Sequence, residues 1–340
     1  MNNSNVDLFK VIEQEKSIFK IVTKTKNESF FIEKWIIHHL NIVHDTKLII
    51  FDNMSDDSYV HDIYRKYRDN IILAKFNFYM DSIHMANKFM ALYKSLAISS
   101  KFFMIIDSDE YLYLYDNEKT YKDNSIVQFL NENSDCNFFA PYWINTLTNS
   151  ENLFSFNPND LSPFHFGKPI INTKIIPAFE AALTKYGYPI LHHTKDLPIL
   201  TYGKAPTKFL LLHLKNLNQY QRIKSNMQKL VAFGIIKNDK DFHSILKLDL
   251  DCISGHSRNY IIETRKLAEN ILYPVEQSDE YGVIELCDDE TLKFTPASYE
   301  QNFKNIMNND YFDLINFDPD RIDINKYTTI SSCSHLLQKY

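Results

Sequence analysis

The apolar positions of the first third of the chain alternate between two periods. Residues 18–24 form a short apolar-rich run that predicts a strand. Residues 29–41 carry Phe30, Phe31, Trp35, Ile36, Ile37 and Leu40 at helical spacing. A second apolar run at 47–51 predicts a strand, residues 57–68 an exposed helix, and residues 71–76 a third strand. Met85, Phe89, Leu92, Tyr93 and Leu96 then mark one face of a helix. Phe102 to Ile106 is apolar throughout, as expected of a strand covered on both faces. This alternation predicts an α/β fold, a sheet flanked by helices. From about 138 to 213, prolines and glycines punctuate short apolar runs, which predicts irregular sheet and loops. From 216 onward the pattern is mainly helical.

In such sheets, ligands bind beyond the carboxyl ends of the strands. Three polar clusters follow three of the predicted strands: Thr23 to Glu28, Asp52 to Asp57, and Asp107-Ser108-Asp109-Glu110. They are expected to converge on one crevice. Two carboxylates in a D-x-D triplet directly after a buried strand can share a hard divalent cation, Mn2+ or Mg2+. Such a cation would hold a diphosphate and neutralise the charge that develops as it leaves.

Composition narrows the chemistry. The chain has 340 residues but only six glycines, and neither a GxGxxG nor a GxxxxGK[ST] pattern occurs. A phosphate site here must therefore use metal and side chains. The net charge of −6 argues against sequence-independent binding of nucleic acid. Four widely spaced cysteines form no C-x-x-C, which predicts reduced thiols and a cytoplasmic protein. No apolar stretch reaches the length of a membrane span, and a peripheral contact with the inner face of a membrane stays open.

Three segments together resemble the GT-A glycosyltransferases of the family 2 / family 92 (DUF23-like) type. Lys26-Asn27-Glu28 followed by Glu33-Lys34-Trp35-Ile36-Ile37-His38-His39 is similar to that group's K-N-E…E-W-I-x-H-H. Ile49 to Asp57 resembles its I-I-Y-D-N-x-S-x-D, and Asp107 to Leu112 its D-x-D-E-F/Y-L. Order and spacing agree over residues 18–115. Fainter likenesses follow at Pro141-Tyr142-Trp143, Gly167-Lys168-Pro169-Ile170, His192-His193 and Leu212-His213. Val43-His44-Asp45 replaces the usual glycine before the second strand, and Ile144-Asn145-Thr146 replaces an FGS-type turn.

The resemblance implies a GT-A domain over 18–215, with a donor half at 18–115 and an acceptor half at 138–215. An N-terminal extension (1–17) and a mainly helical C-terminal region (216–340) would flank it. It implies a metal-dependent transferase for a nucleotide-sugar donor, a UDP-sugar by preference, acting on a glycan or other hydroxyl acceptor. Inversion at the anomeric carbon and a role in bacterial surface polysaccharide synthesis follow by the same analogy. Thr23, Lys24, Asn27, Glu28, Asp52, Asn53, Asp57, Asp107 and Ser108 would bind the donor, Asp52 through a base N–H. Asp57 has a second reading, as a helix N-terminal carboxylate. Asp107, Asp109 and His213 would hold the metal, though a histidine after an apolar run also suits a packing role. His38 and His39 read as structural. Inversion needs a general base, for which Glu180 and Asp196 are candidates. The competing readings are a GT-A-like domain that binds sugar nucleotide without turnover and a D-x-D phosphatase.

Overall fold

Parallel strands β1 (Ser17–Thr25), β2 (Leu48–Asp52), β3 (Ile71–Lys75) and β4 (Ser100–Asp107) lie in the order β3-β2-β1-β4. The computed structural model describes residues 8–77, 83–84, 86–147, 150–156, 167–177, 208–214, 218–238, 242–253, 255–269 and 282–308. Every residue of β2 is buried, as an interior strand covered on both faces requires. Helices α1 (Leu8–Gln14), α2 (Ile32–Val43), α3 (Ser58–Lys66) and α4 (Ala86–Ser99) complete the first third.

The order of connection locates the site. The chain steps outward from β1 to β2 to β3 through α2 and α3. Through α4 it then crosses back to β4, on the other side of β1. Right-handed crossovers place α4 on the face opposite α2 and α3. The direction of travel reverses between β1 and β4, which opens a crevice at their carboxyl ends. The register pairs Lys24 with Asp107 across that crevice.

After β4 the chain leaves the first sheet. β5 (Glu110–Asp116) and β6 (Lys119–Tyr121) begin a second one, followed by α5 (Ser125–Glu132), β7 (Phe138–Phe139), β8 (Tyr142–Thr146) and β9 (Leu153–Phe156). β10 (Ile170–Asn172) and β7 extend the first sheet with antiparallel pairing. β11 (Phe209–His213), β12 (Gly282–Leu286) and β13 (Leu292–Thr295) complete the second, in the order β13-β12-β9-β8-β11-β5-β6. Asp107-Ser108-Asp109 is thus the link between the two sheets. The protein is a mixed α/β structure with helices flanking its sheets.

Three helices, α6 (Gln219–Ala232), α7 (Phe242–Leu246) and α8 (Gly255–Ala268), share a separate small core of Met227, Leu230, Ile236, Ile245 and Ile261. Arg222 joins α6 to α8 through a two-pronged pair with Glu263, at 2.9 and 3.0 Å. A final helix, α9 (Tyr299–Asn308), buries Phe303, Ile306 and Met307 in the main core.

Two sequence boundaries are drawn differently by the structure. Residues 8–14, assigned to an N-terminal extension, form α1, which buries Ile12 in the main core. Residues 282–308, assigned to a mainly helical region, supply two strands and a helix to the main body. These two strands mix polar with apolar residues over five and four positions, without the continuous apolar run that marks β2. No described helix is long and apolar enough to cross a membrane.

Candidate active site

Local chemistry shapes the loops that ring the crevice. Asn27 has a positive φ of 51° and turns the chain sharply after β1. Its side-chain oxygen accepts from the backbone N–H of Asp56 and Asp57, at 2.9 and 3.1 Å, which binds the loop after β1 to the loop after β2. Asp57 caps α3 by accepting from Tyr59 N–H at 2.9 Å, so of the two readings the structure gives the helix-terminal one. Glu28 accepts from the N–H groups of Phe30 and Phe31 ahead of α2. Burial pushes its carboxyl up to about 7, against the pull of the Phe30 amide. Thr23 is fully buried, Asn53 donates its N–H to Thr25 O at 2.8 Å, and Ser108 is buried in the link.

Asp52 departs from its expected role. Its Oδ2 accepts from Ser55 N–H at 3.0 Å, and its Oδ1 accepts from the Ser55 hydroxyl and from Tyr64 Oη at 3.1 Å. The residue is 1% exposed. Both oxygens are thus engaged, by Ser55 within the turn and by Tyr64 of α3.

Asp107 and Asp109 have different partners. Asp107 stands between two ammonium groups: Lys24 Nζ is 2.6 Å from Oδ1 and Lys168 Nζ is 2.6 Å from Oδ2. Lys24 Nζ also donates to His84 Nε2 at 2.9 Å. Lys168 also meets both oxygens of Glu110 at 3.0 Å, and Glu110 Oε2 accepts from Asp107 N–H. Burial opposes the Lys168 charge, but Asp107 and Glu110 outweigh it and hold the ammonium above its ordinary value. Glu110, buried at the first position of β5, is pushed up by that burial in spite of Lys168. Asp107, expected from sequence to share a cation with Asp109, is here engaged by two ammonium groups. The oxygens of Asp107 are neutralised by lysines from β1 and from the lead-in to β10.

Asp109 instead meets His213. β11 runs antiparallel to β5 and sets His213 opposite Glu110, and Leu214 N–H donates to Asp109 O at 2.8 Å. His213 Nε2 then lies 3.3 Å from Asp109 Oδ2. Trp143, on β8, stacks on the imidazole with ring centroids 4.9 Å apart and an interplanar angle of 19°. His213 Nδ1 lies 3.0 Å from Asn145 Oδ1, an acceptor, so Nδ1 carries a proton. Nε2 can then face a carboxylate in two ways: as an imidazolium N–H, or as a lone pair across a shared cation. Burial works against the Asp109 charge, but His213 and Lys229 overcome it and hold the carboxyl well below its usual range. Lys229 Nζ, from α6, is 3.6 Å from the same Oδ2.

A carboxylate oxygen and an imidazole nitrogen are a suitable donor pair for a divalent ion of the Mn2+ kind. Among the described residues no group of three acidic, His or Cys side chains is arranged to hold a metal. Among the described residues, Asp109 and His213 are the pair that meets in this way. His38 and His39 are buried in α2, His38 against Leu112 O and His39 against Trp35 O. Burial pushes His38 down to about 4 and His39 down as well, so both are neutral packing groups. Glu180, Asp196, His192 and His193 lie outside the described residues. Sequence reasoning assigned no role to Lys168, Trp143 or Asn145, although the first two lie in segments noted for their resemblance. It offered no signal at all for Lys229.

No family model matches the sequence, and no curated protein matches it. Solved structures overlap it in part. Staphylococcus aureus TarS 1-349 aligns at 12% identity and a TM-score of 0.33, over 74% of this chain and 72% of that one. A Pyrobaculum calidifontis mannosyltransferase, bound to GDP-Man and Mn2+, aligns at 11% and 0.35, over 75% and 71%. The 4-diphosphocytidyl-2C-methyl-D-erythritol synthase of Anaerococcus prevotii aligns at 12% and 0.31, over 55% and 83%. At these scores the likeness carries no argument about chemistry, which rests on the residues themselves.

Proposed function

We propose that this chain is a GT-A-type glycosyltransferase that moves a sugar from a nucleotide-sugar donor to a hydroxyl acceptor. The observation that carries the reading is the meeting of His213 with Asp109, from distant parts of the chain, at the carboxyl edge of the parallel strands. The three-part sequence resemblance over 18–115 supports it independently.

In this reading Asp109 and His213 hold a divalent cation, Mn2+ or Mg2+. Bound there, the cation supplies Lewis-acid stabilisation to the departing nucleoside diphosphate. The chain's own groups prepare the place. Asn145 and Trp143 fix the imidazole with Nε2 facing Asp109. Lys24 and Lys168 fix Asp107 beside the crevice, one-third exposed, where a donor hydroxyl can reach it. Asn27 and Glu28 shape the rim, and Thr23, Asn53 and Ser108 back it. Because Asp52 is engaged internally, selection of the base falls to other groups, and a UDP-sugar is one donor among several. The acceptor is a glycan hydroxyl, as in surface polysaccharide synthesis, and an inverting transfer would draw its general base from Glu180 or Asp196.

The test is release of nucleoside diphosphate from a panel of UDP-, GDP-, CDP- and ADP-sugars, with Mn2+ and a mixed glycan acceptor. At least one donor is expected to turn over. Asp109→Ala and His213→Ala are each expected to reduce that rate by roughly a hundred-fold, as loss of a transition-state electrostatic partner does. Full activity of both variants in EDTA would remove the cation from the account. Binding of a sugar nucleotide with no turnover on any acceptor would favour the binding-protein reading instead.

A further inference from the structure

The helical unit α6–α8 has its own core, and yet among the described residues α6 touches the rim of the crevice. Gln228 Nε2 donates to Asn27 O at 3.0 Å. The Lys224 ammonium lies over the Phe30 ring, 5.0 Å from its centroid. Residues 224 and 228 are one helical repeat apart, so one face of α6 rests on the loop that follows β1. Lys229, next along, brings its ammonium to Asp109.

The Lys229 contact is unlike the others. At 3.6 Å from Asp109 Oδ2 it lies beyond hydrogen-bond length, whereas the lysines on Asp107 sit at 2.6 Å. Its side chain is one-third exposed, whereas Lys168 is closed off. The Tyr260 ring, 5.4 Å from the ammonium, supports it from α8. Asp109 thus has two partners on one oxygen, His213 Nε2 and the Lys229 ammonium. A divalent cation taken up between Asp109 and His213 would repel the ammonium. The nearest anion that the proposed reaction would bring is the donor diphosphate.

We propose that Lys229 is a phosphate ligand of the donor. On this proposal, which rests on the glycosyltransferase reading, α6 delivers the ammonium to the leaving diphosphate. The charge that develops there is then met by a side chain as well as by the cation. The helical unit would thereby form one wall of the donor site rather than a separate appendage.

The experiment compares wild type with Lys229→Met, which keeps the stem and removes the charge, and Lys229→Arg, which keeps the charge. Calorimetry with Mn2+ first finds which of UDP, GDP, CDP and ADP binds wild type most tightly. That nucleotide and its parent nucleoside are then titrated into all three proteins. The expected result is diphosphate binding about ten-fold weaker in Lys229→Met and within about three-fold of wild type in Lys229→Arg. Nucleoside binding and the ligand-free melting temperature should stay unchanged in both. Unaltered diphosphate affinity in Lys229→Met overturns the proposal and leaves the enzyme reading standing. Equal loss for nucleoside and diphosphate, together with a lower ligand-free melting temperature, also overturns it, because Lys229 would then be a structural ion-pair partner. Failure of wild type to bind any of the four diphosphates overturns both.

Discussion

Asp52 and Glu28 sit at the rim of the same crevice, and each accepts hydrogen bonds from its own neighbours. Asp52 accepts three hydrogen bonds inside its own turn and from α3. Replacing it with Asn turns one acceptor into a donor that faces donors. Asp52→Asn is therefore expected to lose roughly 1–2 kcal/mol of stability in urea unfolding. Its nucleotide affinity should stay within about three-fold of wild type; a ten-fold loss of affinity at unchanged stability would restore it as a base reader. Glu28 is a test of linkage. Its folded-state carboxyl is pushed up to about 7 from an ordinary 4.5, chiefly by burial. Between those values the folded state keeps a proton that the unfolded chain has released, so stability falls as pH rises through that window. The fall should be smaller in Glu28→Gln than in wild type when urea unfolding is compared at pH 5 and pH 7.5. Parallel falls in the two proteins would show that Glu28 is ionised throughout.

At the scale of elements, what could be read from sequence tracks how much apolar run each strand contains. β1, β2 and β4 are interior strands; continuous apolar runs marked β2 and β4, and an apolar-rich one marked β1. α3 ended close to its predicted bounds because Asp57 caps it. Of the second sheet, the irregular strands over 138–213 were legible but their pairing was not, because it mixes parallel and antiparallel pairs and its edge comes from residues 282–295. His213 could be singled out because it ends the apolar run of β11. Lys168 and Lys229 could not, since lysines in a sequence mostly mark solvated faces and only packing shows otherwise. The returning edge is itself testable. Gly282 pairs with Phe156, and a Cβ there would meet the Tyr299 ring and come within 2.8 Å of Phe156 Cε1. Gly282→Ala is expected to cost about 1–3 kcal/mol by overpacking. An unchanged unfolding midpoint would mean that β12 and α9 do not seat on the main body as described.

On the scale of the whole molecule, two sheets and a helical unit meet at one turn. β4 delivers Asp107 and Asp109 to the point where the strand order reverses. The second sheet brings His213 to Asp109, held by Trp143 and Asn145. The helical unit adds Lys229. The most direct measurement is a crystal structure grown with Mn2+ and the nucleoside diphosphate that binds best, recorded for anomalous scattering at the manganese edge. The account predicts one strong peak between Asp109 and His213, about 2.0–2.4 Å from a carboxylate oxygen and from Nε2, with diphosphate oxygens completing the shell. An anomalous peak elsewhere, with His213 Nε2 still resting directly on Asp109 in a nucleotide-bound protein, would contradict it.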